Sequence, residues 1–66
     1  MSVIKVLEIM ASSKKSWEDA TKIGVAKVAS SVKGVRSAWV QDQSVVVKDG
    51  NVKEFRVNLK ITFEVK

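Results

Sequence analysis

The feature that most constrains this chain is the alternation near its end. Phe55, Val57, Leu59, Ile61, Phe63 and Val65 fall on one side of an extended backbone, and Glu54, Arg56, Asn58, Lys60, Thr62 and Glu64 fall on the other. Successive side chains of a strand point to opposite faces, so a period of two sustained this long specifies a strand over 52–65 with one buried and one polar face. Proline would demote such a run to a sheet edge, and the chain has none. The remaining residues must cover the apolar face and leave the polar face free.

Upstream, Asp49-Gly50 is a two-residue hairpin signal, because a primed turn needs positive φ. It joins the terminal strand to a second one over 36–48. Residues 3–11, VIKVLEIMA, are β-branched and aliphatic and read as another strand, followed by a polar loop at 12–15. Between them Trp17, Ala20, Gly24, Val28 and Val32 recur at three- and four-residue spacing, with Ile23 and Val25 flanking, which predicts a helix over about 17–32. Ser16 is its N-cap, and Asp19 takes the place of the capping-box Glu. Glu18 and Asp19 suit the positive end of the helix dipole, Trp17 reads as a packing residue, and Gly34 supplies a left-handed turn after the helix.

The order β-α-β-β gives an α+β fold class. A helical crossover favours running the first two strands parallel. The third pairs antiparallel with the second through the hairpin, and its apolar face suits the centre of the sheet. The expected subunit is one domain, residues 1–66, with an antiparallel-type three-stranded sheet in the order 1-3-2 packed on one helix. The other face and both edges stay open, and open edges seek partners.

Size makes that opening consequential. A domain of 66 residues buries only about 60% of the surface its unfolded chain exposes, which is marginal for a lone subunit. Small domains compensate with disulfides, a structural metal or oligomerisation. Cysteine and histidine are both absent, which removes disulfides, thiolate metal sites and the usual zinc ligands. Oligomerisation remains. The same absences remove the commonest general base and the strongest nucleophile, so the chain reads as non-enzymatic. The acidic residues show no calcium-loop spacing, and an ion site would have to be assembled across subunits.

A net charge of +5 raises the possibility of nucleic acid as partner. The lysines are dispersed and form no dense run, which favours a solvated surface, and nucleic acid is the least favoured partner. The start, Met1-Ser2-Val3-Ile4-Lys5, has neither the basic region nor the apolar stretch of a signal peptide, and no segment is apolar enough to span a membrane. A cytoplasmic location is expected.

Counting the ladder back from a two-residue turn puts Gln43 opposite Arg56, Gln41 opposite Asn58 and Trp39 opposite Lys60, with Ser37 and Val45 on the same face. These residues make the candidate site. A Trp ring offers a stacking platform, amides can bond a heterocycle edge, and Arg can hold a phosphate or carboxylate. The same residues also suit a subunit contact, since Trp is enriched in interfaces. In a symmetric assembly the two uses can share one surface.

The start MSVIKVLEI, the helix opening SWEDA and the ending EFRVNLKITFEV, taken with the element order and length, resemble the dodecin family over essentially the whole chain. The resemblance implies a hollow dodecamer of β-α-β-β subunits that holds small ligands. In flavin-type dodecins a Trp near the start of the second strand stacks the flavin and a Gln on the third contacts it. Ser37 stands here at the Trp place and Arg56 at the Gln place, with Trp39 one residue further along the same face. The calcium-type branch is nearer, sharing the SVxKV start, the SWE opening and an Arg at the place of Arg56. The functional expectation is a dodecameric shell that stores a small ligand or ion without the standard flavin site. The alternatives are storage of riboflavin or FMN through Trp39 and a small basic nucleic-acid-binding module. Calcium and flavin are the cofactors the resemblance suggests, and no ion ligands are assigned.

Overall fold

A computed structural model describes residues 3–65; Met1 and Ser2 of the MSVIKVLEI start, and Lys66, lie outside the described residues. Strand β1 is Val3–Ser13, helix α1 is Trp17–Ala29, β2 is Val35–Lys48 and β3 is Asn51–Val65. The sheet order is β1-β3-β2, and β3 runs antiparallel to both neighbours, so β1 and β2 are parallel to each other. The expected architecture is the observed one.

The alternating strand sits in the middle because its apolar face is the widest in the chain. Val57, Leu59 and Ile61 are fully buried. Helix α1 lays Ala20, Gly24 and Val28 over them, one residue per turn on one stripe. These are small side chains, so helix and sheet approach closely. A methyl added at Gly24 would lie 2.8 Å from Leu59 Cδ1 and 3.0 Å from Ala11 Cβ. Ile9, Ala11, Val25, Val32, Val35 and Ala38 close the sides of this core.

The helix begins as its sequence specifies. Ser16 is extended and its hydroxyl accepts from the Asp19 backbone N–H at 2.9 Å. The Asp19 carboxylate, however, accepts from Ser13 Oγ at 2.6 Å. Ser13 Oγ in turn accepts from the Lys15 N–H at 2.9 Å. That network explains why β1 runs two residues past the expected boundary: Ser12 and Ser13 stay in the ladder opposite Arg56 and Phe55, and the buried Ser13 hydroxyl is satisfied.

At its other end the helix stops at Ala29, three residues short of the expected end. Ser30 Oγ donates to the Lys27 carbonyl at 2.6 Å, and the next turn tightens, with Ser31 N–H donating to the Val28 carbonyl at 3.0 Å. Serines favour such local bonding over helix continuation. Val32 still packs on the core. Gly34 takes φ of 81° and its carbonyl accepts from Glu64 N–H at 3.0 Å, so the left-handed turn leads directly into the sheet.

The hairpin turn has φ of 54° at Asp49 and 78° at Gly50, the positive pair of a primed turn. Because β1 ends opposite Phe55, the far part of the hairpin extends beyond β1 as a two-stranded arm. The arm exposes Val47 and Val52. Trp17 braces its base: the indole Nε1–H donates to the Ser44 carbonyl at 2.9 Å, and its ring meets Phe55 edge-on at 5.2 Å.

Candidate functional site

On the face away from the helix, β3 presents its even-numbered residues, and the ladders on both sides fix what flanks each one. Four rows cross the sheet from β1 through β3 to β2. They are Val6–Thr62–Ser37, Glu8–Lys60–Trp39, Met10–Asn58–Asp42 and Ser12–Arg56–Ser44.

Two of these rows correct the expected ladder. Trp39 does oppose Lys60, and Lys48 opposes Asn51, as counting back from the turn requires. Between them the register shifts twice. Val47 opposes Val52 while Val46 opposes Glu54, so Lys53 is an extra residue in β3. Val40 opposes Leu59 while Asp42 opposes Asn58, so Gln41 is an extra residue in β2. Each bulge moves the pairing by one residue, and a one-residue move exchanges faces. Gln43 therefore opposes the buried Val57, and Val45 opposes Phe55, both on the helix side; neither joins Arg56 on the polar face. Gln41 is unpaired in the ladder and does not meet Asn58. Asp42 and Ser44, which straightforward alternation places on the wrong side, take their positions.

The new neighbours bond as their chemistry allows. Asn58 Nδ2 donates to Asp42 Oδ1 at 2.7 Å. The hydroxyls of Ser37 and Thr62 hydrogen-bond each other. At the end of the sheet Arg36 Nη2 pairs with Glu64 Oε1 at 2.7 Å. Lys60 Nζ lies 5.5 Å from the centroid of the Trp39 ring, a cation–π contact. Trp39 is 50% exposed, so much of its indole remains open to a ligand or a second chain.

Arg56 is the guanidinium of this face. It is half-buried, stands between Ser12 and Ser44, and makes no hydrogen bond or ion pair among the described residues. A guanidinium with no anion bonded to it, flanked in the ladder by two serines, is suited to receive a carboxylate or phosphate. It lies four residues along β3 from Lys60, and hence about 13 Å from the Trp39–Lys60 row at strand rise. Asn58 and Asp42 occupy the space between.

Of the six residues expected to form the site, the face gathers Ser37, Trp39, Arg56 and Asn58. Gln43 leaves it and Gln41 loses its partner. Lys60 stands opposite Trp39 as alternation places it, whereas Asp42, Ser44 and Glu8 are residues that alternation alone did not select. Among the described residues no group of three or more His, Cys, Asp and Glu side chains is disposed to hold a metal ion. No helix is long and apolar enough to cross a membrane among those residues.

Known proteins share this fold. Calcium dodecin of Mycobacterium tuberculosis is 33% identical over 66 residues, covering 100% of this chain and 93% of that one. The crystal structure of that calcium chelating protein superposes with a TM-score of 0.87 at 32% identity, covering 98% of this chain and 93% of that one. Dodecin from Streptomyces coelicolor superposes with a TM-score of 0.94 at 20% identity, covering 98% and 93% of the two chains, a likeness of fold alone. The dodecin family profile matches residues 3–66. A match over nearly the whole length, together with the calcium dodecin relative, establishes that this chain belongs to the dodecin family.

Proposed function

We propose that the chain is the subunit of a dodecameric, non-enzymatic shell, and that the polar face of its sheet binds a small ligand carrying both an aromatic ring and an anionic group. The observation that carries this reading is the pairing of a half-exposed Trp39, with Lys60 over its ring, and an unpaired Arg56 about two rows away. The ring would lie on the free part of the Trp39 indole. The anion would lie on Arg56, and Asn58 and Asp42 would bond the intervening polar atoms.

Assembly is supported by the apolar surface the subunit leaves uncovered. Val3, Val6, Met10, Val47 and Val52 are each more than half exposed, on a chain whose buried apolar core among the described residues is only five residues. The unpaired edges of β1 and β2 and the projecting hairpin arm offer the contacts to cover them. The whole chain acts as one domain in this reading, and the shell is cytoplasmic.

Flavin storage is the specific form of the reading that Trp39 favours. Stacking at Trp39 instead of at Ser37 shifts the ring by about 7 Å along the strand. Arg56, where flavin-type dodecins carry Gln, then favours FMN over uncharged riboflavin. Calcium storage draws on the relative's chelation. Within one subunit, however, Asp42 is engaged by Asn58 and Glu64 by Arg36, so carboxylates from several subunits would have to converge.

Native mass spectrometry tests assembly and cargo together. The expected result is a twelvefold multiple of 7.3 kDa, with bound mass lost in Trp39→Ala and Arg56→Ala. A monomer at micromolar concentration would overturn the shell. In a separate titration FMN fluorescence should be quenched more strongly than that of riboflavin, and equal quenching would remove Arg56 from the site.

A further inference from the structure

The helix does not cover the whole apolar face of the sheet. It ends at Ala29, and residues 30–34 turn back toward β2. Phe63, flanked in the ladder by Lys5 on β1 and Val35 on β2, therefore lies beyond the helix end. A cleft of about 590 Å³ opens there, on the helix side of the sheet and away from the Trp39 row. Its apolar lining comes from Val32, Phe63 and Val65, and Lys5, Lys33 and Arg36 stand around it.

Among the described residues the charges around this cleft are not balanced. Glu64 is the acid among the described residues at its edge, and it pairs with Arg36. Lys5 and Lys33 make no hydrogen bond or ion pair among the described residues, and both are exposed. The cleft thus combines an apolar floor, a volume within the roughly 300–1,000 Å³ range of small-molecule sites, and two uncommitted ammonium groups. Such a lining is complementary to a molecule that is apolar at one end and anionic at the other.

We propose that this cleft binds an amphiphilic monoanion, a carboxylate on an alkyl chain, as a site separate from the open face. The chain lies against Phe63, Val32 and Val65. The carboxylate lies between Lys5 and Lys33, where charge-assisted bonds form to both ammonium groups. Apolar burial sets the affinity and the lysines set the sign of the ligand.

Isothermal titration of the assembled protein with octanoate tests the site, with hexanoate, acetate and octanol as comparison ligands. The expected result is saturable octanoate binding that weakens about two- to fourfold for each methylene removed. It should also weaken as salt rises, since the lysines are exposed. The double substitution Lys5→Glu with Lys33→Glu should weaken octanoate about tenfold or more while leaving the circular dichroism spectrum unchanged. Trp39→Ala should leave octanoate binding intact. Octanol binding as tightly as octanoate, or affinity indifferent to chain length, would overturn the proposal without any variant being needed. Loss of octanoate binding in Trp39→Ala would place the ligand on the open face and also overturn it. Absence of binding at millimolar octanoate would overturn it too, and would leave another copy of the chain as the occupant of the cleft.

Discussion

Replacing Gly24 by alanine sets two effects of opposite sign against each other. In an exposed helix interior the change gains about 1 kcal/mol, because glycine is the poorer helix former. Here the added methyl would meet Leu59 Cδ1 at 2.8 Å, Ala11 Cβ at 3.0 Å and Ile9 Cδ1 at 3.3 Å. Carbon pairs are most favourable at about 3.5–4.0 Å, so the two closest contacts are too short by about half an ångström or more. Leu59 is fully buried on the central strand and has little room to turn away. Ala11 Cβ is fixed to the β1 backbone and cannot move without it. Relief requires lifting the helix, which loosens Ala20 and Val28 from the same sheet. Overpacking of this kind costs about 1–3 kcal/mol, so Gly24→Ala is expected to destabilise by about 1 kcal/mol net. Urea unfolding at one fixed subunit concentration measures it, since an oligomer's stability depends on concentration. Leu59→Val removes the Cδ1 atom that makes the closest contact. In that background Gly24→Ala should cost at least about 1 kcal/mol less than in the native chain, a coupling typical of residues in contact. If Gly24→Ala instead stabilised the native chain by about 1 kcal/mol, the close approach of helix and sheet would be refuted.

Two further outcomes test the packing and the register. Trp17→Phe keeps a ring against Phe55 and removes the Nε1–H bond to the Ser44 carbonyl, and should cost about 1 kcal/mol in the same unfolding assay. A larger loss from Trp17→Phe than from Trp17→Ala would contradict its bracing role. Asp42→Ala should cost about 0.5–1 kcal/mol through its bond to Asn58, whereas Gln43→Ala should be near neutral. The reverse order would restore the unshifted ladder, and cross-strand nuclear Overhauser contacts between residues 42 and 58 give an independent check.

The elements and their order were legible because each rests on a strong local pattern. Period two over Phe55–Val65, the stripe Ala20–Gly24–Val28 and the Asp49-Gly50 turn point to the same fold, and the structure contains all three. The ends were less legible. Ser12 and Ser13 resemble a loop by composition, yet Ser13 is kept in the strand by a hydroxyl bond to Asp19, a residue in the next element. Ser30 ends the helix early by bonding to the Lys27 carbonyl, a competition that apolar spacing does not record.

The site was half legible for a different reason: it depends on parity, and parity is lost at each bulge. The signal was present in β2. Val45-Val46-Val47 and Gln41-Asp42-Gln43 are runs of like residues that break alternation, whereas β3 alternates cleanly from Glu54 onward. A strand that alternates cannot stay in step with one that does not, unless extra residues absorb the difference. Lys53 and Gln41 do so, and their shifts cancel, which is why Trp39–Lys60 and Lys48–Asn51 match a bulge-free count while the rows between do not. This also bears on how function follows from family. The dodecin fold is fixed by the buried face of β3, where Val57, Leu59 and Ile61 leave no freedom. In the function proposed for this chain ligand choice rests on the opposite face, where a bulge at Gln41 substitutes Asp42 for a glutamine beside Asn58 and leaves Arg56 between two serines. Members of the family can share this fold at 20% identity, because the residues that hold it occupy one side of β3 and leave the side chains of the other side free to differ.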